Sequence, residues 1–145
     1  FHDREVEKEY IALVWGVVQA GRRIDAAIGR DPSDRQKMSS RSKYARDAVT
    51  RITRALHLPG LTLCQVAIHT GRTHQIRVHM SALRHPCVGD LTYGADPTLA
   101  ARLGLHRQWL HAVRLRFDHP GTGQRVEFES PYPADLQHAV DLLAI

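Results

Sequence analysis

The chain has 145 residues, 43% hydrophobic and 24% charged, which is the length of one domain and an ordinary globular composition. Those figures argue against a two-domain enzyme, wholesale disorder and a fibrous repeat. Twenty Lys plus Arg against fifteen Asp plus Glu leave a net charge of +5, and the sequence pI near 9.7 favours a polyanionic partner. Cys64 and Cys87 sit in apolar settings without a CxxC partner. This argues against a disulfide scaffold or a cysteine zinc site and fits a reducing cytoplasm. Apolar runs such as Ile11 to Val18 fall far short of the roughly 18 to 20 residues of a membrane span, and no charged-then-apolar leader opens the chain. It opens on Phe1 without an initiator methionine, so the expectation is a sequence that begins inside a longer protein.

Tyr10 to Val18 is β-branched and aromatic, which predicts a strand apolar on both faces within a sheet. The turn signal at Gly21 predicts Arg23 to Ile28 as its hairpin partner, stopping at Gly29. The stretch from Arg30 to Arg46 carries Arg30, Arg35, Lys37, Arg41, Lys43 and Arg46 and reads as an exposed basic loop. Ala48 to Leu56 and Leu61 to Ile68 read as antiparallel strands joined at His57-Leu58-Pro59-Gly60. Ile76, Met80 and Leu83 then recur at helical spacing, with Thr73 placed as the N-cap and the helix ending before Pro86. Gly89 to Gly94 reads as a loop, Pro97 to Leu103 as a short helix, and Trp109 to Phe117 and Arg125 to Glu129 as strands around a turn at 119–123. Leu136, Ala139, Val140 and Leu143 share one face of a last helix, Asp135 to Leu143. Hairpins with irregularly interspersed helices predict an α+β domain around a largely antiparallel or mixed sheet.

The densest polar segment is Thr70 to His79, where Gly71 frees the backbone and Arg72 and Arg77 flank the amides that open a helix. Such a start binds anions, and it equally describes an ordinary capped helix with solvated arginines. His69, His74 and His79 invite a metal reading. Their spacing of five turns a helical side chain by about 140° and puts strand residues on opposite faces, which argues against it, as it does for His106 and His111. Asp90, in a Gly-flanked loop, is the best isolated candidate for a buried carboxylate, against the commoner role of a turn-forming aspartate. Tyr10, at a strand start, fits either a core position or a platform for a base. Together with Arg72, the basic loop can track an RNA backbone.

Thr70-Gly71-Arg72-Thr73-His74-Gln75-Ile76-Arg77-Val78-His79 resembles the signature of the RluA-like family of pseudouridine synthases. Lys8 to Gly16 is similar to the family's KxYxAxVxG, Ile28-Gly29-Arg30 to its IGR hairpin, Ala48-Val49-Thr50 to its AxT, and Gly89 to Gly94 to its GDxxYG. Leu110-His111-Ala112, Phe117 to Pro120 and Phe128 to Asp135 match its closing elements, in the same order. The resemblance implies the synthase catalytic-domain fold and an enzyme that isomerises uridine in ribosomal or transfer RNA without metal or organic cofactor. The nucleotide is flipped into a pocket, a catalytic aspartate permits cleavage of the N1 glycosidic bond, and the uracil turns and rejoins through C5. It further implies that Tyr10 packs on the uracil and assists proton removal from C5, and that Arg77 pairs with the catalytic carboxylate. Arg72, His74, Arg30, Arg35 and Lys37 become RNA contacts, and Asp90 a structural loop residue.

The family's catalytic aspartate belongs to an HRLDxxTSG-like motif that these residues do not contain. The expectation is therefore that residues 1–145 are the C-terminal portion of a catalytic domain, inactive alone, with Arg77 left without its acid. Two other readings are a non-catalytic RNA-binding module and a histidine-rich metal hydrolase.

Overall fold

The computed structural model describes residues 6–34 and 36–144. Arg35, one of the expected RNA contacts, lies outside the described residues. In chain order the elements are β1 (Glu7–Trp15), β2 (Arg23–Asp25), β3 (Gly29–Arg30), β4 (Met38–Ser39), β5 (Val49–Leu58), β6 (Leu61–Ile68), α1 (Gln75–Ala82), α2 (Pro97–Arg102), β7 (Leu110–Asp118), β8 (Arg125–Glu129) and α3 (Ala134–Leu142), with a 3-10 turn at Leu91–Tyr93. One antiparallel sheet runs in the order β2-β5-β6-β1-β7-β8, so the domain is α+β as expected.

β1 lies inside the sheet because its residues are apolar on alternate sides. Ala12 and Val14 pack with Ile76 and Met80 of α1 on one face. Leu13 packs with Trp109 and with Leu136, Ala139 and Val140 of α3 on the other. Ala12, Leu13 and Val14 are all fully buried, and covering both faces removes water from every side chain in that run, worth about 1.5–3 kcal/mol for each large apolar one. Burial also keeps both thiols protonated: Cys64 is pushed up to about 12, and burial raises Cys87 as well.

Three expectations are corrected. The segment from Arg23 does not form a hairpin with β1; β2 pairs with β5 through Arg23↔Arg51 and Asp25↔Val49. Both edges of β1 are already taken by β6 and β7, and Gly21 N–H donates to the Ile52 carbonyl while Ile52 N–H donates to Arg22. The basic stretch is not a plain loop. β3 and β4 pair through Gly29↔Ser39 and Arg30↔Met38, and its turn is built around Asp31, which accepts the Ser33 and Asp34 amides and Arg41 Nη2. The Arg41 guanidinium, followed by Ser39, holds the Asp31 carboxyl well below the usual carboxylate range. Thr73 does not cap α1. The cap position is His74, left-handed at φ 55°, with no side-chain cap, because the Gln75 side chain takes over the turn and accepts from Thr70 Oγ1 at 2.7 Å and the Arg72 amide at 3.2 Å.

A register shift between Glu9 and Tyr10 completes the frame. Glu9 stands opposite Arg114 whereas Tyr10 stands opposite Ala112, so Val113 is the extra residue of a bulge. The bulge sets Ala112 opposite Tyr10 and Arg114 opposite Glu9, and strand alternation puts Lys8 and Tyr10 on one face and Glu7 and Glu9 on the other. There Glu9 pairs with Arg114 at 2.6 Å and Glu7 with Arg116 at 3.1 Å.

Candidate active site

On the Tyr10 face, β1, the turn after β6 and the start of α1 enclose a cavity of about 410 Å³, whose wall includes Lys8, Tyr10, Arg72, His74, Gln75 and Arg77. Four residues expected to be functional, Tyr10, Arg72, His74 and Arg77, are thus brought to one wall from sequence positions 67 apart at the extreme (77 minus 10). A second cavity of about 310 Å³ adjoins it, sharing Lys8 and Tyr10 and bordered by Ala112, Leu115 and the exposed Phe128. Arg30 and Lys37 are not in either wall; they stand on the β3–β4 hairpin.

Tyr10 is set by its strand, with Val66 on one side and Ala112 on the other. Burial raises its phenol above the ordinary value, so it is a neutral, partly apolar platform at physiological pH. Arg72 lies before α1, and its Nε donates to the Asp47 carbonyl at 2.8 Å. Its charge therefore has a neutral partner.

The arrangement around Arg77 differs from the expectation of an arginine without an acid. Arg77 Nε and Nη2 each donate to the Asp90 carboxylate at 2.8 Å, and the side chains are 14% and 1% exposed. Asp90 is thus more than a loop former. The Arg77 guanidinium also lies 5.0 Å from the centre of the Tyr93 ring, a cation–π distance. Asp90 is the N-cap of the 3-10 turn and Tyr93 its last residue, and in such a turn residues three apart eclipse one another. The turn thereby presents a carboxylate to the edge of the guanidinium and an aromatic ring to its face. The hydrogen bonds to Asp90 raise Arg77 further above its ordinary value, so it is a permanent cation.

Tyr93 also joins the hairpin to the cavity. Its hydroxyl accepts the Met38 amide at 2.9 Å and lies 2.8 Å from His74 Nδ1. Desolvation, and then the Arg77 charge, lower His74 from its ordinary value. A neutral imidazole whose Nδ1 accepts the Tyr93 hydroxyl hydrogen satisfies all three groups. Sequence reasoning missed Gln75 and Tyr93. Gln75, 3% exposed, also donates to the Val49 carbonyl at 2.9 Å and Thr50 Oγ1 at 3.2 Å, tying the turn to β5. The signal for Tyr93 was its spacing of three from Asp90 in a Gly-flanked loop.

The histidines are not gathered as ligands. His79 is buried between Thr50 Oγ1 and the Ala26 carbonyl, His74 faces Tyr93, and among the described residues no group of three or more His, Cys, Asp or Glu is placed to hold a metal ion. No helix among the described residues is long and apolar enough to cross a membrane.

Comparison with known proteins agrees with this geometry. The sequence model of the family described as RNA pseudouridylate synthase matches residues 1–82. The chain is 52% identical over 144 residues to an uncharacterized RNA pseudouridine synthase of Mycobacterium bovis, spanning 99% of this chain and 46% of that protein. It is 42% identical over 142 residues to the ribosomal large subunit pseudouridine synthase D of Vibrio parahaemolyticus, spanning 92% and 43%. The chain thus spans about half the length of these relatives. Among solved structures, human RNA pseudouridylate synthase domain containing 1 superposes with a TM-score of 0.67 at 32% identity, covering 98% of this chain and 67% of that one. Human RNA pseudouridylate synthase domain containing 4 does so with a TM-score of 0.72 at 25% identity, covering 97% and 63%. With its motifs in family order on the family's fold, the chain belongs to the RNA pseudouridylate synthases, in their RluA-like branch.

Proposed function

We propose that the complete protein isomerises uridine to pseudouridine within ribosomal or transfer RNA, and that residues 1–145 form the C-terminal portion of its catalytic domain. The observation that carries this reading is the cavity in which Tyr10 shares a wall with Arg77, the arginine being fixed by Asp90 and Tyr93. In the reaction the N1–C1′ bond breaks, a C5–C1′ bond forms, and the proton leaves C5 while N1 gains one, so the product is an isomer. Tyr10 packs on the flipped uracil, whose unstacking costs a few kcal/mol, and assists removal of the C5 proton. Arg77 uses Nε and Nη2 on Asp90, and its remaining edge is directed to the attacking carboxylate, holding it ionised by opposite charge. That carboxylate comes from sequence outside these 145 residues, because no HRLDxxTSG-like motif occurs among them. Arg72, His74, and Arg30 and Lys37 of the β3–β4 hairpin contact the RNA backbone, as does Arg35. The large-subunit relative from Vibrio favours ribosomal RNA.

The test uses transcripts of large-subunit ribosomal RNA and of transfer RNA carrying tritium at uridine C5. The complete protein is expected to release tritium and the isolated 145-residue chain to release none. Tyr10→Phe and Arg77→Ala in the complete protein should each cut turnover severely. Near-normal turnover in both variants, or turnover by the isolated chain, overturns the assignment. RNA binding by the complete protein without turnover would make it a non-catalytic RNA-binding module.

A further inference from the structure

The cations around the 410 Å³ cavity are not equivalent. Arg77 is committed to Asp90 through two hydrogen bonds, and Arg72 Nε is committed to the Asp47 carbonyl. The Lys8 side chain, on a backbone paired between Ile68 and Leu115, makes no ion pair or hydrogen bond among the described residues. Its sequence neighbours Glu7 and Glu9 are on the opposite face of β1, held by Arg116 and Arg114, so neither is positioned to neutralise it. The residues lining this cavity include Lys8, Arg72 and Arg77 and no carboxylate, and the carboxylate of the adjoining cavity that Lys8 also borders, Glu129, is held by Arg114 Nε and Nη2. Room for the ammonium is built into the turn, since a Cβ on Gly71 would stand 2.9 Å from Lys8 Nζ. The glycine of this signature therefore serves clearance here, since its own φ is not in the left-handed region.

We propose that Lys8 is the anion receptor of the cleft, binding a phosphodiester of the RNA strand whose uridine lies against Tyr10. Lys8 and Tyr10 are two residues apart on one face of β1, about 7 Å along the strand. A nucleotide whose base covers Tyr10 presents its sugar-phosphate to Lys8. An ammonium is suited to this task as a point charge that tolerates different phosphate orientations. This inference rests on RNA being the ligand. It adds to that reading a specific phosphate contact inside the cleft, distinct from the basic hairpin.

The experiment measures equilibrium binding of a large-subunit ribosomal RNA transcript to the complete protein over a range of KCl concentrations. Lys8→Gln is expected to bind about tenfold more weakly at low salt and to reduce the slope of log K against log salt by about 0.7 to 0.9, the signature of one lost phosphate contact. Lys8→Arg should keep the slope. Gly71→Ala, which displaces only the flexible end of Lys8, should weaken binding in the same direction by a smaller factor. Unchanged affinity and slope in Lys8→Gln, or a fall in turnover number alone, overturns the proposal in favour of a protein carboxylate as the partner. A Lys8-dependent slope in a protein that forms no pseudouridine would remove the enzymatic reading and leave this one standing. Pseudouridine formation with a Lys8-independent slope would do the reverse.

Discussion

The Tyr93 hydroxyl accepts the backbone N–H of Met38 at 2.9 Å across 55 residues of sequence. The same oxygen faces His74 Nδ1 at 2.8 Å, and the same ring lies under the Arg77 guanidinium. One side chain thereby holds the basic hairpin against the arginine of the cavity.

Tyr93→Phe keeps the ring and removes both hydrogen bonds. The Met38 amide and His74 Nδ1 lose their partner, which is expected to cost about 1–3 kcal/mol. Urea unfolding of the complete protein measures the loss. Hydrogen exchange should show the Met38 amide opening faster while amides of β1 and β6 keep their protection. Equal acceleration in the central strands would mean that Tyr93 stabilises the core and does not act as a tether.

Removing one member of the Arg77–Asp90 pair leaves the other charge without its partner in a largely buried setting. Asp90→Asn or Arg77→Ala should destabilise by about 3–5 kcal/mol, and the double variant by less than the sum of the two. A double-mutant cycle in urea that comes out additive would show that the two bonds contribute no coupling.

His79 predicts a pH dependence of stability. It is fully buried, with Nδ1 facing Thr50 Oγ1 at 2.7 Å and Nε2 facing the Ala26 carbonyl at 2.8 Å, and desolvation lowers it from the ordinary value of 6.5. The unfolded chain then binds a proton that the folded chain refuses, so stability increases with pH across that window. The contribution is complete above the ordinary imidazole value of about 6.5 and is lost progressively as the pH falls below it. His74, lowered by desolvation and by Arg77, acts in the same direction. His79→Gln should flatten the pH dependence of the unfolding free energy relative to the parent protein; an unchanged slope would contradict the neutral assignment.

The docking of α3 is testable at Trp109 and Leu136. Both side chains are fully buried in one cluster with Leu13, and Trp109 Nε1 donates to the Leu136 carbonyl at 3.0 Å. Leu136→Ala should cost about 2–5 kcal/mol. Trp109→Phe, which leaves that carbonyl without its indole donor and opens a void, should cost at least about 1 kcal/mol. Thermal unfolding of the complete protein reads both, and a loss below about 1 kcal/mol for Leu136→Ala would mean that α3 is not part of the cooperative core.

Local periodicity and local turn chemistry were legible directly. β6, β8 and α3 lie within one residue of where apolar spacing placed them, because their side chains meet the core at the period that their own backbones impose. The motif at Thr70 to His79 located the cavity for the same reason: a strand end, a glycine and a helix start are consecutive in sequence. The exchange of partners between β1 and β2 was not legible, since either strand could pair with several others and only the finished sheet shows which edges are already taken.

The sequence by itself determined the class of fold, the family and the identity of Tyr10 and Arg77 as residues to watch, because those depend on patterns and motifs within a few residues of one another. The tertiary structure decided what each charge does. It gave Arg77 to Asp90, thirteen residues away (90 minus 77), placed Glu7 and Glu9 behind the sheet with Arg116 and Arg114, and left Lys8 facing the cavity. The net charge of +5 could not reveal this, because electrostatic partnership depends on distances and faces set by strand alternation and register, and composition carries no information about either.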